Sequence, residues 1–265
     1  MIGVLLVVIY TLLAVVVGIE VFLKTSSWLS RTERLVPPVP LRSVIGWGIV
    51  AFLLALGLEG LILFSSGMTT GMLILTFLVG PIEEGAKLLP FVAKERESTL
   101  VRWHLTIRTA LVFGILEALL YFWPLVSMGN LLGAIFRFVV MMFHVVFTAI
   151  ALEGALRGSL WEGYLKAALL HSLYDAPALL LYSMGDLAGF VAPLSMVALI
   201  YIHNSVDEVF GSAVNYAKRV VALRQEMYKT FEYSNGEASG AEGLEKENQK
   251  CENENENPED FTSLP

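Results

Sequence analysis

The chain has 265 residues, of which 55% are hydrophobic and 16% charged, and its mean hydropathy is +0.65. Soluble domains carry about 25% charged residues, so this composition excludes an ordinary water-soluble domain and favours a protein solvated mainly by lipid. The net charge of −7 comes from one end, because residues 234–265 hold nine acidic and two basic side chains. The single cysteine, Cys251, excludes a disulfide framework and a cysteine-based metal site.

Seven apolar segments follow one another along the chain. An α-helix rises about 1.5 Å per residue, so about 20 apolar residues cross a hydrocarbon core about 30 Å thick. The first segment is as long as a span and lacks a basic start, which favours a membrane helix over a cleaved signal peptide. The predicted spans are 2–23, 44–64, 72–93, 105–126, 134–156, 164–184 and 188–204. The sequence therefore predicts an all-α, polytopic membrane protein with about seven transmembrane helices.

Basic residues are distributed unevenly between the loops. Those after spans one, three, five and seven hold Lys and Arg, whereas the three other loops hold neither. Because Lys and Arg are enriched in cytoplasmic loops, we expect the N-terminus outside and the C-terminus in the cytosol of a multi-pass cell-membrane protein. The basic residues concerned are Lys24, Arg31, Arg34, Arg42, Lys94, Arg96, Arg102, Arg157, Lys166, Lys218, Arg219, Arg224 and Lys229.

The composition divides the chain into three parts. Residues 1–204 are predicted to form the transmembrane helical domain, and residues 205–233 a cytosolic helix. Residues 234–265 are polar, rich in Asn and Glu, and nearly free of apolar side chains. Such a segment cannot bury enough apolar surface to offset the entropy cost of ordering, so we predict a disordered acidic tail.

Six ionisable side chains are predicted to lie at one depth, near the middle of spans three to six. An ionisable side chain at the bilayer centre costs roughly 2.5–3.5 kcal/mol on insertion scales. We therefore expect these groups to face one another or water rather than lipid, in one polar layer. They are Glu83, Glu84, Glu117, His144, His171 and Asp175.

Three further polar residues lie near this layer. Lys87 is four residues after Glu83, so it can neutralise an acidic side chain on its own helix. Arg137 is two turns from His144 on the same helix face, and it either supports the layer or reaches the lipid headgroups. Glu59 is about one turn from the outer end of span two, and its role is left open between the layer and a structural role, which is favoured.

The layer is suited to two kinds of hydrolytic mechanism. In a metal site, His144, His171 and a carboxylate such as Asp175 would bind zinc, and a free glutamate would act as base. In a metal-free site, a Glu–His pair would activate water while His171 and Asp175 stabilise the oxyanion. There is no H-E-x-x-H helix and no G-x-S-x-G beside the layer, which excludes an ordinary zincin and favours water as the nucleophile.

Four short motifs carry a resemblance to a known family. They are P-I-E-E-G-A-K (81–87), F-G-I-L-E (113–117), F-H (143–144) and H-S-L-Y-D (171–175). With the four motifs in this order, the chain resembles the PrsW family of intramembrane proteases over about residues 72–204. That family is similar to the wider superfamily of CAAX prenyl proteases and bacteriocin-processing enzymes.

The resemblance implies an intramembrane endopeptidase whose site is built from all six residues of the layer. By comparison with the CAAX proteases, Glu83 would activate water with His144, while His171 and Asp175 would polarise the scissile carbonyl. This comparison gives a slight preference for a metal-free mechanism over zinc. The expected substrate is a membrane-embedded or membrane-tethered protein, with the lipid bilayer as surroundings and no nucleic acid. Lys87 and Asp175 depart from the CAAX pattern, so prenylated substrates are not implied.

Two other classes of protein would also carry polar groups at mid-membrane depth. A proton- or cation-coupled transporter is the main alternative, because midplane Glu, His and Asp residues mark ion pathways. Transporters often contain inverted repeats and broken helices, but only Gly80–Pro81 interrupts a helix beside the layer, and no repeat relates the two halves. A membrane scaffold without activity is disfavoured, because it has no need of six ionisable midplane groups.

The predicted orientation can be tested by cysteine labelling. A cysteine at Ser66, Ser127 or Gly185 is expected to react with an impermeant maleimide on intact cells, because these loops lack Lys and Arg. The native Cys251 is expected to react only after the cells are permeabilised. Labelling of Cys251 on intact cells would contradict the orientation.

Overall fold

The computed structural model describes residues 2–255, with side chains for all of these except Leu187 and residues 228–255. Over this range the chain forms seven α-helices, a short 3-10 helix and no β-strand. The helices are α1 (Ile2–Thr32), α2 (Leu41–Ser66), α3 (Met68–Ala93), α4 (Thr99–Ser127), α5 (Leu131–Leu156), α6 (Leu160–Met184) and α7 (Ala188–Asn255), with the 3-10 helix at Gly185–Leu187. The predicted all-α fold is confirmed, and every predicted span lies inside one of these helices.

Five of the helices are long and apolar enough to cross a membrane. They are α1, α2, α4, α5 and the part of α7 from Ala188 to Met227. Helices α3 and α6 are long enough, but they carry the charged residues of the polar layer, which lower their hydropathy. The chain is therefore a helical membrane protein with five candidate spans by composition, and the count of seven stays a prediction.

Helix α5 lies at the centre of the bundle. Every residue from Met142 to Glu153 is buried, which covers more than three turns and therefore all sides of the helix. Helices α1, α4 and α6 pack around it. The outer helices instead expose large apolar side chains; Leu12 of α1 is 63% exposed and Phe64 of α2 is 91% exposed. This distribution is typical of a bundle whose outer surface is solvated by lipid.

Helices α3 and α6 pack closely where Pro81 interrupts α3. Proline has no N–H, so the carbonyl of Phe77, four residues earlier, loses its helical partner. The hydroxyl of Ser172 on α6 donates to this carbonyl at 3.2 Å and accepts from the N–H of Gly80 at 3.2 Å. The backbone groups that the proline leaves open are therefore satisfied by a neighbouring helix, as membrane-buried backbone requires.

Contacts divide the chain into two compact units, Met1–Ala217 and Lys218–Pro265. The first contains all six helices α1–α6 and the beginning of α7. The predicted acidic tail, 234–265, falls on residues whose side chains or whole placement lie outside the described part. Its disorder, and the division at residues 204 and 233, therefore stay predictions.

The close packing of α3 on α6 predicts that Gly80→Ala destabilises the protein. A Cβ atom at Gly80 would lie 2.0 Å from the backbone carbonyl oxygen of Ala168, so the helices would have to separate. Overpacking of this kind costs about 1–3 kcal/mol, and we expect a lower unfolding temperature in detergent. The matched control is Gly46→Ala on α2, where the added Cβ meets nothing within 4 Å. Equal unfolding temperatures for the two variants would contradict the prediction.

Candidate active site

Four helices bring the six predicted residues together in one layer. Glu83 and Glu84 come from α3, Glu117 from α4, His144 from α5, and His171 and Asp175 from α6. Both histidines and both α3 glutamates are buried, whereas the side chains of Glu117 and Asp175 are 16% and 28% exposed. The layer thus has a closed interior and two carboxylates at its edge.

Glu83 lies between the two histidines. Its Oε2 atom is 3.4 Å from Nδ1 of His144 and 3.6 Å from Nε2 of His171. One ligand atom from each of these three residues can be chosen so that all lie within 4.8 Å of one another, and all three residues are buried. Buried carboxylate and imidazole groups at such separations could hold a metal ion.

Each histidine also has a carboxylate behind its second ring nitrogen. Oε2 of Glu117 is 2.5 Å from Nε2 of His144, and Oε1 of Glu84 is 2.8 Å from Nδ1 of His171. Carboxylates in this position are typical partners of metal-binding histidines, because they orient the ring and raise its basicity. The other two nitrogens, Nδ1 of His144 and Nε2 of His171, both face Glu83.

Lys87 neutralises the interior of the layer. Its Nζ atom is 2.6 Å from Oε1 of Glu84 and 3.4 Å from Oε2 of Glu83, and the side chain is fully buried. The ring of Phe113 lies 4.7 Å from this ammonium. Glu84 also accepts a hydrogen bond from the Thr148 hydroxyl at 3.1 Å. Glu84 is therefore the most fully paired carboxylate of the layer, which fits an orienting role better than an acid–base role.

Lys87 and Glu117 favour the same tautomer of His144. Nζ of Lys87 is 3.0 Å from Nδ1 of His144, and an ammonium group can only donate. With Nδ1 accepting this hydrogen bond, the ring proton of neutral His144 resides on Nε2 and is donated to Glu117. The lone pair of His144 is thus directed toward Glu83 and Lys87.

Asp175 lies beside His171 at the edge of the layer. The two residues are four apart on α6, and Oδ2 of Asp175 is 3.2 Å from Nε2 of His171. The set considered from the sequence as metal ligands was His144, His171 and Asp175, whereas the group within 4.8 Å contains Glu83 in place of Asp175. The difference arises because the Glu83 side chain of α3 reaches both histidines, on α5 and α6, which a single sequence does not reveal.

A small pocket of about 30 Å³ adjoins the layer between α2, α3 and α4. Three carboxylates line it: Glu59, Glu83 and Glu117. A water molecule takes up about 30 Å³ in the liquid, so the pocket can admit water next to Glu83. Oε1 of Glu59 is inaccessible and has no hydrogen-bond partner among the described residues.

From the sequence, the role of Glu59 was left open, with a structural role favoured because it lies near a helix end. The number of residues between Glu59 and that helix end nevertheless indicates its depth in the bundle. Glu59 is seven residues before the end of α2, and Glu117 is ten residues before the end of α4. Since α2 and α4 run in the same direction across a serial bundle, the two carboxylates differ in depth by only about one turn, or roughly 5 Å.

Aromatic rings pack against both histidines of the layer. Phe147 stacks on His171 with ring centres 4.5 Å apart, and Phe113 lies against His144 at 5.4 Å. These rings restrict the histidines to their observed orientations and exclude water from the interior. In such surroundings, electrostatic interactions between the polar groups are stronger than in water.

Comparison with known proteins identified one family. The family described as PrsW family intramembrane metalloprotease matches residues 37–202, which is more than half of the chain and includes all six residues of the layer. No curated protein and no solved structure matches the chain significantly.

The pairing of Lys87 predicts that Lys87→Met destabilises the protein strongly. The change leaves Glu83 and Glu84 buried without their cation, and removal of one partner of a buried pair costs about 3–5 kcal/mol. We expect a marked fall in the unfolding temperature of the purified protein in detergent. Lys24→Met is the control, because Lys24 is 35% exposed and its pair with Asp207 is expected to contribute about 1 kcal/mol or less. Similar effects of the two changes would show that the buried pair is not needed for folding.

Proposed function

Since this chain belongs to the PrsW family of intramembrane metalloproteases, and is therefore a membrane peptide hydrolase, we propose that the layer around Glu83 is its active site. In this proposal the enzyme cleaves a membrane-embedded or membrane-tethered protein in the cell membrane. The main support is the arrangement of Glu83 between two histidines that each have a carboxylate behind them. A proton- or cation-coupled transporter is not favoured, because the family match is to a protease.

The three groups around Glu83 have separations that suit a metal ion. Two ligands of a tetrahedral zinc ion lie about 3.3 Å apart when each bond is about 2.0–2.1 Å long. The distances from Glu83 to the nearer nitrogens of His144 and His171 are 3.4 and 3.6 Å. We therefore propose that Glu83, His144 and His171 bind the metal, with Glu117 and Glu84 orienting the two imidazoles. A bound zinc ion would supply a Lewis acid that activates water and polarises the scissile carbonyl.

The charge of the layer is compatible with a divalent cation. With the carboxylates ionised and the histidines neutral, as metal ligands must be, the predicted site together with its two basic partners carries four negative and two positive charges, a net −2. An uncompensated charge of this size is very costly in a low-dielectric interior. One divalent ion would neutralise it, and in a metal-free site protonation of the two histidines would do the same. The groups counted are Glu83, Glu84, Glu117, Asp175, Lys87 and Arg137.

In the metal-dependent version of the hydrolysis that we propose, Asp175 accepts the proton of the attacking water and later returns it. Its carboxylate is at the open edge of the layer and contacts His171, so it can reach a water beside the histidines. The oxygen of that water forms a bond to the carbonyl carbon while its proton passes to Asp175. The C–N bond then breaks, and the same proton is delivered to the departing amine. Glu84 and Glu117 remain ionised throughout and hold the two imidazoles in place.

A metal-free version of the reaction is favoured by one contact. The lone pair on Nδ1 of His144 already accepts a hydrogen bond from Lys87, and it cannot bind a metal at the same time. In this version Glu83 takes the proton of water, with His144 beside it, and Lys87 remains the internal cation. In the metal-dependent version Lys87 must withdraw toward Glu84, which its ammonium also contacts.

We further propose that α3 and α6 cross the membrane together with the five apolar helices. Their charged groups lie in the layer, where those of α3 contact α5 and α6 and Asp175 of α6 contacts His171, so the cost of crossing is reduced. Seven crossings would leave the N-terminus outside and the C-terminus in the cytosol, in agreement with the distribution of Lys and Arg.

Replacement of Glu83 by Gln is expected to abolish proteolysis while leaving the protein folded. Gln keeps the size of Glu83 but can neither take a proton nor contribute a charged ligand, and loss of such a group typically lowers the rate by about 10²–10⁴. Cleavage would be measured on single-span reporter proteins reconstituted with the purified enzyme. Metal content of the same preparations would be measured by elemental analysis.

The matched control is Glu97→Gln, which changes an exposed glutamate in the loop after α3 and should retain wild-type cleavage. If the metal-dependent version is correct, wild type contains about one zinc per chain, loses activity with a chelator, and Glu83→Gln has lost the metal. Active wild-type protein without metal would contradict that version. Continued cleavage by a Glu83→Gln and His144→Ala double variant would contradict the assignment of the active site itself.

A further inference from the structure

We infer that Arg137 is a positioning residue for His144 and acts on it through Glu117. The inference rests on the proposed active site, of which His144 is a member. Arg137 is on α5, seven residues and thus two turns before His144, so both side chains project from the same side of that helix. It is not part of any of the four motifs that carry the family resemblance.

The carboxylate of Glu117 is divided between two partners. Its Oε2 atom accepts the Nε2 proton of His144 at 2.5 Å, and its Oε1 atom lies 3.3 Å from a guanidinium nitrogen of Arg137. The terminal torsion of a glutamate is broad, so a carboxylate held at one oxygen only can rotate. Contact with Arg137 at the second oxygen removes this freedom and fixes the direction in which Oε2 faces the imidazole.

Arg137 is itself held in place. Its guanidinium carbon lies 4.2 Å from the centre of the Tyr121 ring, one turn beyond Glu117 on α4. The planar guanidinium can stack on this ring while a nitrogen faces the carboxylate. Arg137 therefore approaches Glu117 along a defined direction, which a flexible surface arginine would not do.

Charge balance also supports the pairing of Arg137 with Glu117. Lys87, the other cation of the layer, contacts Glu83, Glu84 and Nδ1 of His144. Arg137 is the cation that the described part of the chain pairs with Glu117. Without it, Glu117 would keep a carboxylate beside Glu59 and Glu83 with the imidazole of His144 as its partner, which favours rotation toward another donor or toward water in the adjoining pocket.

The consequence of this chain of contacts appears at Nδ1 of His144. As long as Glu117 accepts the Nε2 proton, the lone pair on Nδ1 faces Glu83, where it can bind Lys87 or a metal. If Glu117 turns away, only Lys87 opposes the other tautomer, and because its ammonium can move to Glu84, the proton of His144 can then occupy either nitrogen and the ring loses its orientation. Arg137 therefore makes no contact with the reacting atoms, yet it stabilises the tautomer and the ring orientation that His144 needs.

The test compares Arg137→Met with Arg137→Lys in the full-length protein in detergent. The first readout is the affinity for Co²⁺, measured by competition with a chelator. Changes beyond the ligands typically weaken metal binding by about 10–100-fold, and we expect Arg137→Met to fall at the lower end of this range. Arg137→Lys keeps the charge without the planar fork, so its loss should be smaller. Arg157→Met is the control, because Arg157 forms a comparable ion pair with Glu153 and should leave Co²⁺ affinity unchanged.

The second readout is the ¹⁵N spectrum of His144 in the metal-free protein. We expect the Nε2–H tautomer in wild type and in Arg157→Met, and a mixture of tautomers in Arg137→Met. In a Glu117→Gln background, Arg137→Met should cause no further change, because its route to His144 is already lost. If Arg137→Met does not fold, Arg137→Gln, which keeps a donor without the charge, takes its place in both measurements.

A wild-type His144 spectrum in the Arg137 variant would overturn the inference, even if cleavage were lost, because the residue would then be merely structural. An equal loss of Co²⁺ affinity in Arg157→Met would overturn it as well. The spectrum also separates this inference from the proposed function. A wild type that neither binds metal nor cleaves any reporter defeats the proposed function, whereas the tautomer of His144 still decides the role of Arg137.

Discussion

The structure depends on the mutual neutralisation of charges that are buried at one depth of a membrane bundle. Lys87 contacts Glu84 and Glu83, Glu84 contacts His171, and Glu117 contacts His144 and Arg137. No one of these side chains could be buried alone without a cost of several kcal/mol. Together they require α3, α4, α5 and α6 to lie against one another with a particular rotation. The polar layer is therefore a condition for the fold as much as a place for chemistry.

The same requirement explains why the layer has both a paired interior and an open edge. Glu84 has three partners and no exposure, which suits a group that holds others in place. Asp175 and Glu117 are partly exposed, and Glu59 lines the pocket beside Glu83. A hydrolase that works within a membrane needs water at a few atoms and must exclude it from the rest. The increase in side-chain exposure from Glu84 in the interior to Asp175 at the edge provides this separation.

Much of the architecture could be predicted because it depends on composition alone. Apolar runs of about 20 residues identified every helix, and counting depth from the ends of those runs assembled the six ionisable residues in one layer. The pairing within the layer could not be predicted, because it depends on how each helix is rotated about its axis. Glu117 contacts Nε2 of His144, and Glu83 rather than Asp175 lies between the two histidines. Both results depend on the rotation of each helix about its axis to within a few tens of degrees. Glu59 was missed for the same reason, since depth does not tell which way a side chain points.

The interruption of α3 at Pro81 has a consequence for how the protein enters the membrane. On the proposed topology, α3 alone would present the lipid with an open carbonyl at Phe77 in addition to its charges, and the partner for this carbonyl is Ser172, 95 residues further along the chain. We therefore expect α3 to insert stably only after α6 has been synthesised. Since Ser172 directly follows His171, the packing of α6 that satisfies this carbonyl also brings together the proposed active site. A chain that ends before α6 would therefore lack the proposed site.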